Sequence, residues 1–462
     1  MVTFVQFTHH IIQDFFLIPV LIAGGIFFTL KSRFIQFSHF FHGFKLLFQD
    51  NKSTSSGISS WQSFCVASAA RVGTGNIAGV VVALTAGGPG AIFWMWVIAV
   101  LNMPTALVES TLSQVYKTKV NGQFRGGPAY YMRDGLKRKN LGRLFSLMLI
   151  ASFGMTFIAV QSNTIAQSLH AQMEWSPSWT GFVLVALIGI LFFKNLRSIA
   201  QFTAIIVPVM ACLYLLIAAY VMFTHLGELP GLFMLIVKSA LGLQEVASGM
   251  IAYSVGSALS HGTGQGLFSN EAGMGSSANI SASVDMKGRN PIEQGFIQMS
   301  GVVVDTLIIC TATAAIVLCG VDLNAVSGVS GIELVQMNMT HYFGELGSYL
   351  MMMIICFFCF STIIGNYLYS ENNFFFLCSN KKYLIILKLL TLAMIYAGTV
   401  LDVSTVWSLA LITSSCMALM NIASIIILSP DFETCLTQYL HRPYKSSYVN
   451  SSPSVIPQDK AT

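Results

Sequence analysis

Residues 71–80 read Arg71-Val72-Gly73-Thr74-Gly75-Asn76-Ile77-Ala78-Gly79-Val80, and they interrupt an apolar stretch that runs from residue 63 to residue 85. Three glycines fall within seven positions here, and each costs a helix interior about 1 kcal/mol relative to alanine. Unwinding is therefore cheap at this point. A break exposes carbonyls from the half-helix that ends and amides from the half-helix that starts, groups suited to a cation and a carboxylate respectively. Thr74 and Asn76 add a hydroxyl and a carboxamide without placing a fixed charge at membrane depth. The same glycines also suit close helix packing of the small-xxx-small kind. A second stretch, SVGSALSHGTGQGLFSNEAGMGSS at residues 254–277, gathers Gly256, Gly262, Gly264, Gly266, Gly273 and Gly275 with Ser269, Asn270 and Glu271. Such a segment cannot face lipid along its length and must line protein or water. Paired interrupted helices in the two halves of a chain point to a binding site between them.

The rest of the chain supplies the membrane. Of 462 residues, 54% are hydrophobic and only 9% charged, whereas soluble domains carry about 25% charged residues. Apolar runs long enough for a hydrocarbon layer of about 30 Å occur near 11–30, 63–85, 90–116, 145–171, 178–193, 200–223, 246–275, 296–320, 346–371, 383–401 and 404–428. They are too long and unbroken for barrel strands, so the expected class is all-α, a polytopic membrane protein of eleven transmembrane helices. One leading helix (with its loop, 1–62) leaves ten spans in a core of residues 63–428, followed by a tail at 429–462. Two blocks of five, 63–223 and 246–428, must cross in opposite directions because five is odd. That is an inverted repeat.

Charge sorting gives orientation. The net charge of +5 carries no basic, aromatic-laced patch of the kind nucleic acid needs. With the N-terminus outside, the inner loops hold Lys31, Arg33, Lys45 and Lys52, the basic group from Lys117 to Arg143, Lys194, Arg197, Lys287, Arg289, Lys381 and Lys382, while the outer loops hold Lys238 alone. Acids such as Glu174, Glu228, Asp322, Glu333, Glu345 and Asp402 take the outer side. The positive-inside rule then sets a multi-pass protein of the plasma (inner) membrane, N-terminus outside and C-terminus cytoplasmic, with lipid as a partner. No Lys or Arg precedes Lys31, so the first apolar run lacks the positive region of a cleaved signal peptide. The final stretch, SSYVNSSPSVIPQDKAT, is polar and proline-bearing and reads as disordered.

Other interior polar residues are few. The nine cysteines lie mostly in apolar runs and read as packing. Gln161 sits in the patch QSNT, and Ser361 and Thr362 in FSTIIGN. Successive hydroxyls beside a broken helix suit sodium, although Ser and Thr in membrane helices commonly bond back to their own carbonyls. Phe268 either caps an aliphatic side chain or belongs to the core. Glu271 either holds a proton or cation or partners exposed backbone or Arg71. Arg71 either snorkels at the cytoplasmic entrance or gates it. Glu109 and Asp305 read as structural acids. A channel would need a charged pore ring or filter repeats, absent from the sequence. An enzyme would need a nucleophile or metal constellation, and His9, His10, His39 and His42 do not share a site.

The segments GTGNIAGV (73–80), GGPGAIFWMW (87–96), RGGPAYYM (125–132), GLFSNEAGMGSS (266–277) and FSTIIGN (360–366) together resemble the alanine/glycine:cation symporter family. The resemblance covers most of the chain. It implies a leucine-transporter-type fold of five plus five helices and symport of a small neutral amino acid, of the alanine or glycine class, with sodium. The alternative is proton coupling on the same fold. It further implies a substrate pocket of Thr74, Gly75, Asn76, Gln161, Phe268, Thr362 and Asn366, and a sodium site of carbonyls near Ala69 and Val72 with Ser361 and Thr362. No organic cofactor is implied. Where the family usually has tryptophan this chain has Asn366, which points to a larger or more polar pocket and a substrate other than plain alanine. Where the family usually has a basic residue it has Gln265, which bears on a gate.

Overall fold

The computed structural model describes residues 11–49, 54, 56–243, 251–320 and 331–441. Charge-free apolar runs become helices because a helix satisfies its own backbone in lipid. In chain order these are α1 (Ile11–Lys31), α2 (Ser60–Arg71), α3 (Gly75–Gly87), α4 (Gly90–Val115), α5 (Pro128–Asp134), α6 (Lys139–Met173), α7 (Pro177–Phe192), α8 (Leu196–Thr224) and α9 (Leu229–Ala240). They continue as α10 (Ile251–Asn270), α11 (Ser276–Ser281), α12 (Ile292–Leu318), α13 (Gly331–Phe343), α14 (Glu345–Leu377), α15 (Lys381–Val400), α16 (Val403–Ile427) and α17 (Ser429–Leu440). Among the described residues, eight helices are long and apolar enough to cross a membrane: α1, α4, α6, α8, α12, α14, α15 and α16. The bent pair α2 and α3 adds a ninth if counted as one span. Helices also occupy the positions expected at 178–193 (α7) and within 246–275 (α10), the first residues of the latter lying outside the described set.

The first interruption falls where the glycines place it. A capping box starts α2: Ser59 Oγ accepts the Gln62 amide at 3.1 Å and Gln62 Oε1 accepts the Ser59 amide at 3.0 Å. The helix stops at Arg71, Val72 turns extended (φ −81°, ψ 91°), and α3 leaves at 56° to α2. The second interruption is narrower than its glycine content suggests. Gly256, Gly262, Gly264 and Gly266 lie inside the continuous helix α10, and the chain breaks only over residues 271–275. There Glu271 (φ 56°), Gly273 (φ 94°) and Gly275 (φ 75°) all take left-handed backbone. Three upstream glycines serve contact instead. A Cβ on Gly262 would lie 2.4 Å from the Ala91 carbonyl oxygen of α4, one on Gly266 2.7 Å from Ile98, and one on Gly264 2.6 Å from Gln13 of α1. They are notches for neighbouring helices, the small-residue packing that glycine-rich membrane helices share.

Several elements have no counterpart among the expected spans. Thr118–Val120 (β1) and Gln123–Arg125 (β2) pair antiparallel around Asn121 (φ 54°) and Gly122 (φ 83°), a two-residue turn of the Asn-Gly kind that reverses a hairpin. The helix α9 has 12 residues, too few to cross where about 20 are needed. Helix α17 docks at the start of the tail by burying Phe432 and Leu436, and Tyr116 donates to Asp431 at 2.5 Å. The polar stretch 446–462 lies outside the described residues.

Because the Gly262 notch meets backbone rather than a flexible side chain, Gly262→Val must push α10 off α4. Overpacking of this kind costs about 1–3 kcal/mol, and thermal unfolding in detergent should show a clear loss of stability. Gly231→Ala, where nothing lies within 4 Å, should not lower the transition.

Candidate functional site

Helix α14 crosses the end of α2, and the contact is made by oxygen atoms. Thr362 Oγ1 lies 2.8 Å from the Ala69 carbonyl, 3.1 Å from that of Val72 and 2.9 Å from that of Phe358. One hydroxyl carries one proton and satisfies one of the three. The amides that would close helical turns onto Ala69 and Val72 bond elsewhere, Gly73 N–H to Asn76 Oδ1 (3.3 Å) and Asn76 N–H to the Gly73 carbonyl (3.2 Å). Two freed carbonyls therefore converge on a hydroxyl oxygen. Ser361 is adjacent, and its hydroxyl donates to Phe358 O at 2.9 Å within its own helix. A Cβ on Gly73 would fall 2.4 Å from Thr362 Oγ1, so no larger residue fits between them.

The first break is tied to both sides of the bundle. Gln161 Oε1, from α6, accepts from the Thr74 amide (3.1 Å) and hydroxyl (2.7 Å), and Thr164 lies 3.1 Å from the same hydroxyl. Asn76 Nδ2 donates to Ser269 Oγ (3.0 Å) and to the Asp305 carbonyl (2.9 Å), while its own carbonyl accepts from Thr313 (2.7 Å). That Asp305 carbonyl belongs to the π-helical segment Val303–Cys310 of α12. Phe268 presses on Gly75, whose Cβ would lie 2.7 Å from the ring. The same ring stacks on Phe157 (4.6 Å between centroids) and tilts against Trp407 (5.0 Å). The first break thus meets α10 at Phe268, three residues before the second break opens at Glu271. Thr74, Asn76, Gln161, Phe268, Ser361, Thr362 and Asn366 are each at most 3% exposed, so the region is closed to solvent. Asn366 is fully buried, and neither atom of its carboxamide has a hydrogen-bond partner.

Buried acids brace the second break, and another pairs with Arg71 at the end of α2. Arg71 neither snorkels nor reaches water: its Nε lies 2.8 Å from Asp305 Oδ2, with both side chains 0% exposed. Arg71 is the last residue of α2, and Asp305 on α12 draws it inward. Glu109 Oε2 accepts from the Gly275 amide (3.0 Å) and from Asn421 Nδ2 (2.9 Å), and Asn421 also donates to the Gly273 carbonyl (2.9 Å). Glu271 accepts from Ser276 at 2.5 Å. These acids hold exposed backbone and its flanking helix in place. Gln265 is buried, and its Oε1 would lie 2.8 Å from a Cβ on Gly79. A cavity of about 920 Å³ near Lys137, Arg138 and Lys139 and another of about 200 Å³ near Lys194 lie away from this region.

Of the residues expected at the site, Ala69, Val72, Thr74, Gly75, Asn76, Gln161, Phe268 and Thr362 are linked by these contacts, Ser361 bonds within its own helix, and Asn366 is buried one turn from Thr362 on α14. Ser269, named in the second glycine-rich stretch, belongs to the same neighbourhood, as do Thr164, Thr313, Phe157 and Trp407, which were not singled out by sequence. Thr164 closes the QSNT patch and carried a signal; Trp407 carried none.

A profile of the sodium:alanine symporter family matches residues 1–451. The chain belongs to this family. It is 42% identical to the probable sodium/glutamine symporter GlnT of Bacillus subtilis, covering 92% of this chain and 87% of that one. It is 32% identical to the sodium/alanine symporter AgcS of Methanococcus maripaludis, over 90% and 92% of the two chains. Among solved structures, MhsT in complex with L-phenylalanine aligns at a TM-score of 0.56 and 15% identity, over 84% of this chain and 99% of that one. The likeness at that identity concerns the fold, which is that of the leucine-transporter type. This family member is a multi-pass membrane transporter, not an enzyme.

The Arg71–Asp305 pair sets a test of the transporter's core. Asp305→Asn leaves an uncompensated buried cation, which costs about 3–5 kcal/mol, and should lower the unfolding temperature in detergent sharply. Joint replacement Arg71→Met with Asp305→Leu should recover most of the loss. Equal damage from both variants would mean the charges themselves, and not their pairing, are required.

Proposed function

We propose that the protein is a secondary active symporter that imports a small neutral amino acid together with sodium across the plasma (inner) membrane. The observation that carries this reading is the convergence of the freed Ala69 and Val72 carbonyls on Thr362 Oγ1. Oxygen-only coordination suits a hard cation, and here the ion is cargo. Ser361 joins the set by rotating its hydroxyl from Phe358. The substrate rests on Thr74, Gly75 and Asn76, where α3 begins and its amide groups favour a carboxylate. Gln161, Thr362 and Asn366 supply neutral polar contacts, and Phe268 closes over the side chain.

The same reading assigns eleven spans, with α2 to α8 (residues 63–223) and residues 246–428 as two five-span units of opposite direction, preceded by an N-terminal helix and loop (1–62) and followed by a cytoplasmic tail (429–462). The N-terminus faces outside, as the loop lysines and arginines favour. Sodium and substrate enter between the two breaks, the helices rock, and both leave inward. The names of GlnT and AgcS support sodium as the coupling ion and an amino acid as the cargo. With one sodium per zwitterion, 100 mV supplies about 2.3 kcal/mol and a tenfold sodium gradient about 1.4 kcal/mol, enough for accumulation on the order of several hundredfold.

A proton-coupled version has one observation in its favour, the fully buried Glu271 beside the second break. Two measurements separate the readings. In proteoliposomes, labelled alanine should accumulate when sodium and an inside-negative potential are imposed, and a proton gradient alone should not drive it. Thr362→Val should raise the sodium concentration for half-maximal uptake about tenfold or more, equivalent to about 1.4 kcal/mol of binding, while Glu271→Gln keeps concentrative uptake. Uptake indifferent to sodium and to potential sinks the proposal; loss of concentration in Glu271→Gln with sodium dependence absent favours the proton.

A further inference from the structure

Asn366 is the one proposed pocket residue whose side chain is left wholly without partners. It is 0% exposed, and among the described residues neither Oδ1 nor Nδ2 has a hydrogen-bond partner. Its neighbours on α14 fix where it sits. Thr362, one turn before it, meets the end of α2 at the carbonyls of Ala69 and Val72. Gly365 packs on Ala70, where a Cβ would be 2.8 Å from the Ala70 backbone. Asn373, two turns after it, donates to Asn279 Oδ1 of α11 at 2.8 Å. At 100° per residue, positions 362, 366 and 373 share one narrow stripe. That stripe touches the first break at one end and the helix that follows the second break at the other. Asn366 therefore lies on the face of α14 that runs between the end of α2 and α11.

A buried amide with neither donor nor acceptor met is costly, and native proteins seldom tolerate one without a reason. A ligand that presents one acceptor and one donor in a plane removes the cost in a single step. Backbone groups of an amino acid do not do so here, because they belong to Thr74–Asn76 and Gln161 in the reading given above. The side chain must supply the pair.

We propose that Asn366 is a specificity residue that recognises the side-chain carboxamide of the substrate, so that the preferred cargo is glutamine or asparagine rather than alanine or glycine. This inference rests on the amino acid symport reading. A carboxamide both accepts from Nδ2 and donates to Oδ1, whereas an aliphatic side chain leaves both unmet. Sites built to hydrogen-bond a polar group discriminate strongly against analogues that lack it.

The test uses the full chain in proteoliposomes with an inward sodium gradient. Labelled alanine, glutamine and asparagine are taken to kinetic completion for the wild type, Asn366→Leu and Asn366→Asp. Wild type should show a higher kcat/KM for a carboxamide substrate than for alanine. Asn366→Leu, close in size and without donor or acceptor, should lower the glutamine-to-alanine ratio of kcat/KM at least tenfold, chiefly through KM. Asn366→Asp should shift preference away from the carboxamide less than leucine does, because it keeps an acceptor. Sodium-driven alanine uptake with glutamine excluded, or an unchanged ratio in Asn366→Leu, overturns the inference and leaves symport standing. No sodium-driven uptake of any of the three overturns both.

Discussion

Everything in this fold answers to one constraint: a backbone carbonyl or amide released inside a bilayer has no water to bond. Each unmet buried group costs about 1–3 kcal/mol, so two broken helices at membrane depth are affordable only where side chains replace the missing turns. The replacements are visible group by group. Gln161 takes the Thr74 amide, Asn76 takes that of Gly73, Glu109 takes that of Gly275, and Asn421 reaches the Gly273 carbonyl. The carbonyls of Ala69 and Val72 have only Thr362 between them. That deficit is where the fold has room for an ion, and it is the reason the polar residues of an otherwise apolar chain gather in one place.

Much of this was readable from the residues because the physics involved is local. Length and apolarity locate helices, since a span must be about 20 residues long whatever its neighbours do. The cluster Gly73-Thr74-Gly75 marked its break because helix propensity acts over a few residues. The stretch SVGSALSHGTGQGLFSNEAGMGSS reads too broadly as a break for the complementary reason. Glycine serves unwinding and close approach equally well, and only the position of the Ala91 carbonyl tells that Gly262 serves approach. Composition cannot separate those uses. Gly273 and Gly275 differ from the rest by their left-handed backbone, which is a property of the turn and not of the letter.

Partnerships across the chain were the least legible part. Arg71 and Asp305 are 234 residues apart, and nothing at either position announces the other. Trp407 enters the site by packing on Phe268, and an aromatic in an apolar helix looks alike whether it faces a substrate or a neighbour. Short elements such as α9 and α17, at 12 residues each, fall below the roughly 20 residues that mark a span. The hairpin carried a usable sign, Asn121-Gly122, in a loop scanned mainly for charge.

The two breaks are held by different chemistry, and this bears on which of them moves. Around Thr74 and Thr362 the bonds are between neutral groups, Gln161 with Thr74, Thr362 with carbonyls and Asn76 with Ser269, while Arg71 at the edge of the same break is paired with Asp305. Around the second, the carboxyl group of Glu109 and that of Glu271 receive amide and hydroxyl donors. Neutral hydrogen bonds contribute about 0.5–1.5 kcal/mol each, whereas removing one partner of a buried ion pair such as Arg71–Asp305 costs about 3–5 kcal/mol. A cycle that opens and closes a sealed site must exchange some of these bonds on every turn. The neutral set around Thr74 is the cheaper to exchange, and a zwitterion or a sodium ion can stand in for the very groups it loses. The second break, clamped between α4 and α16 through Glu109 and Asn421, and the Arg71–Asp305 pair at the end of α2 are better suited to serve as the frame against which the neutral set opens.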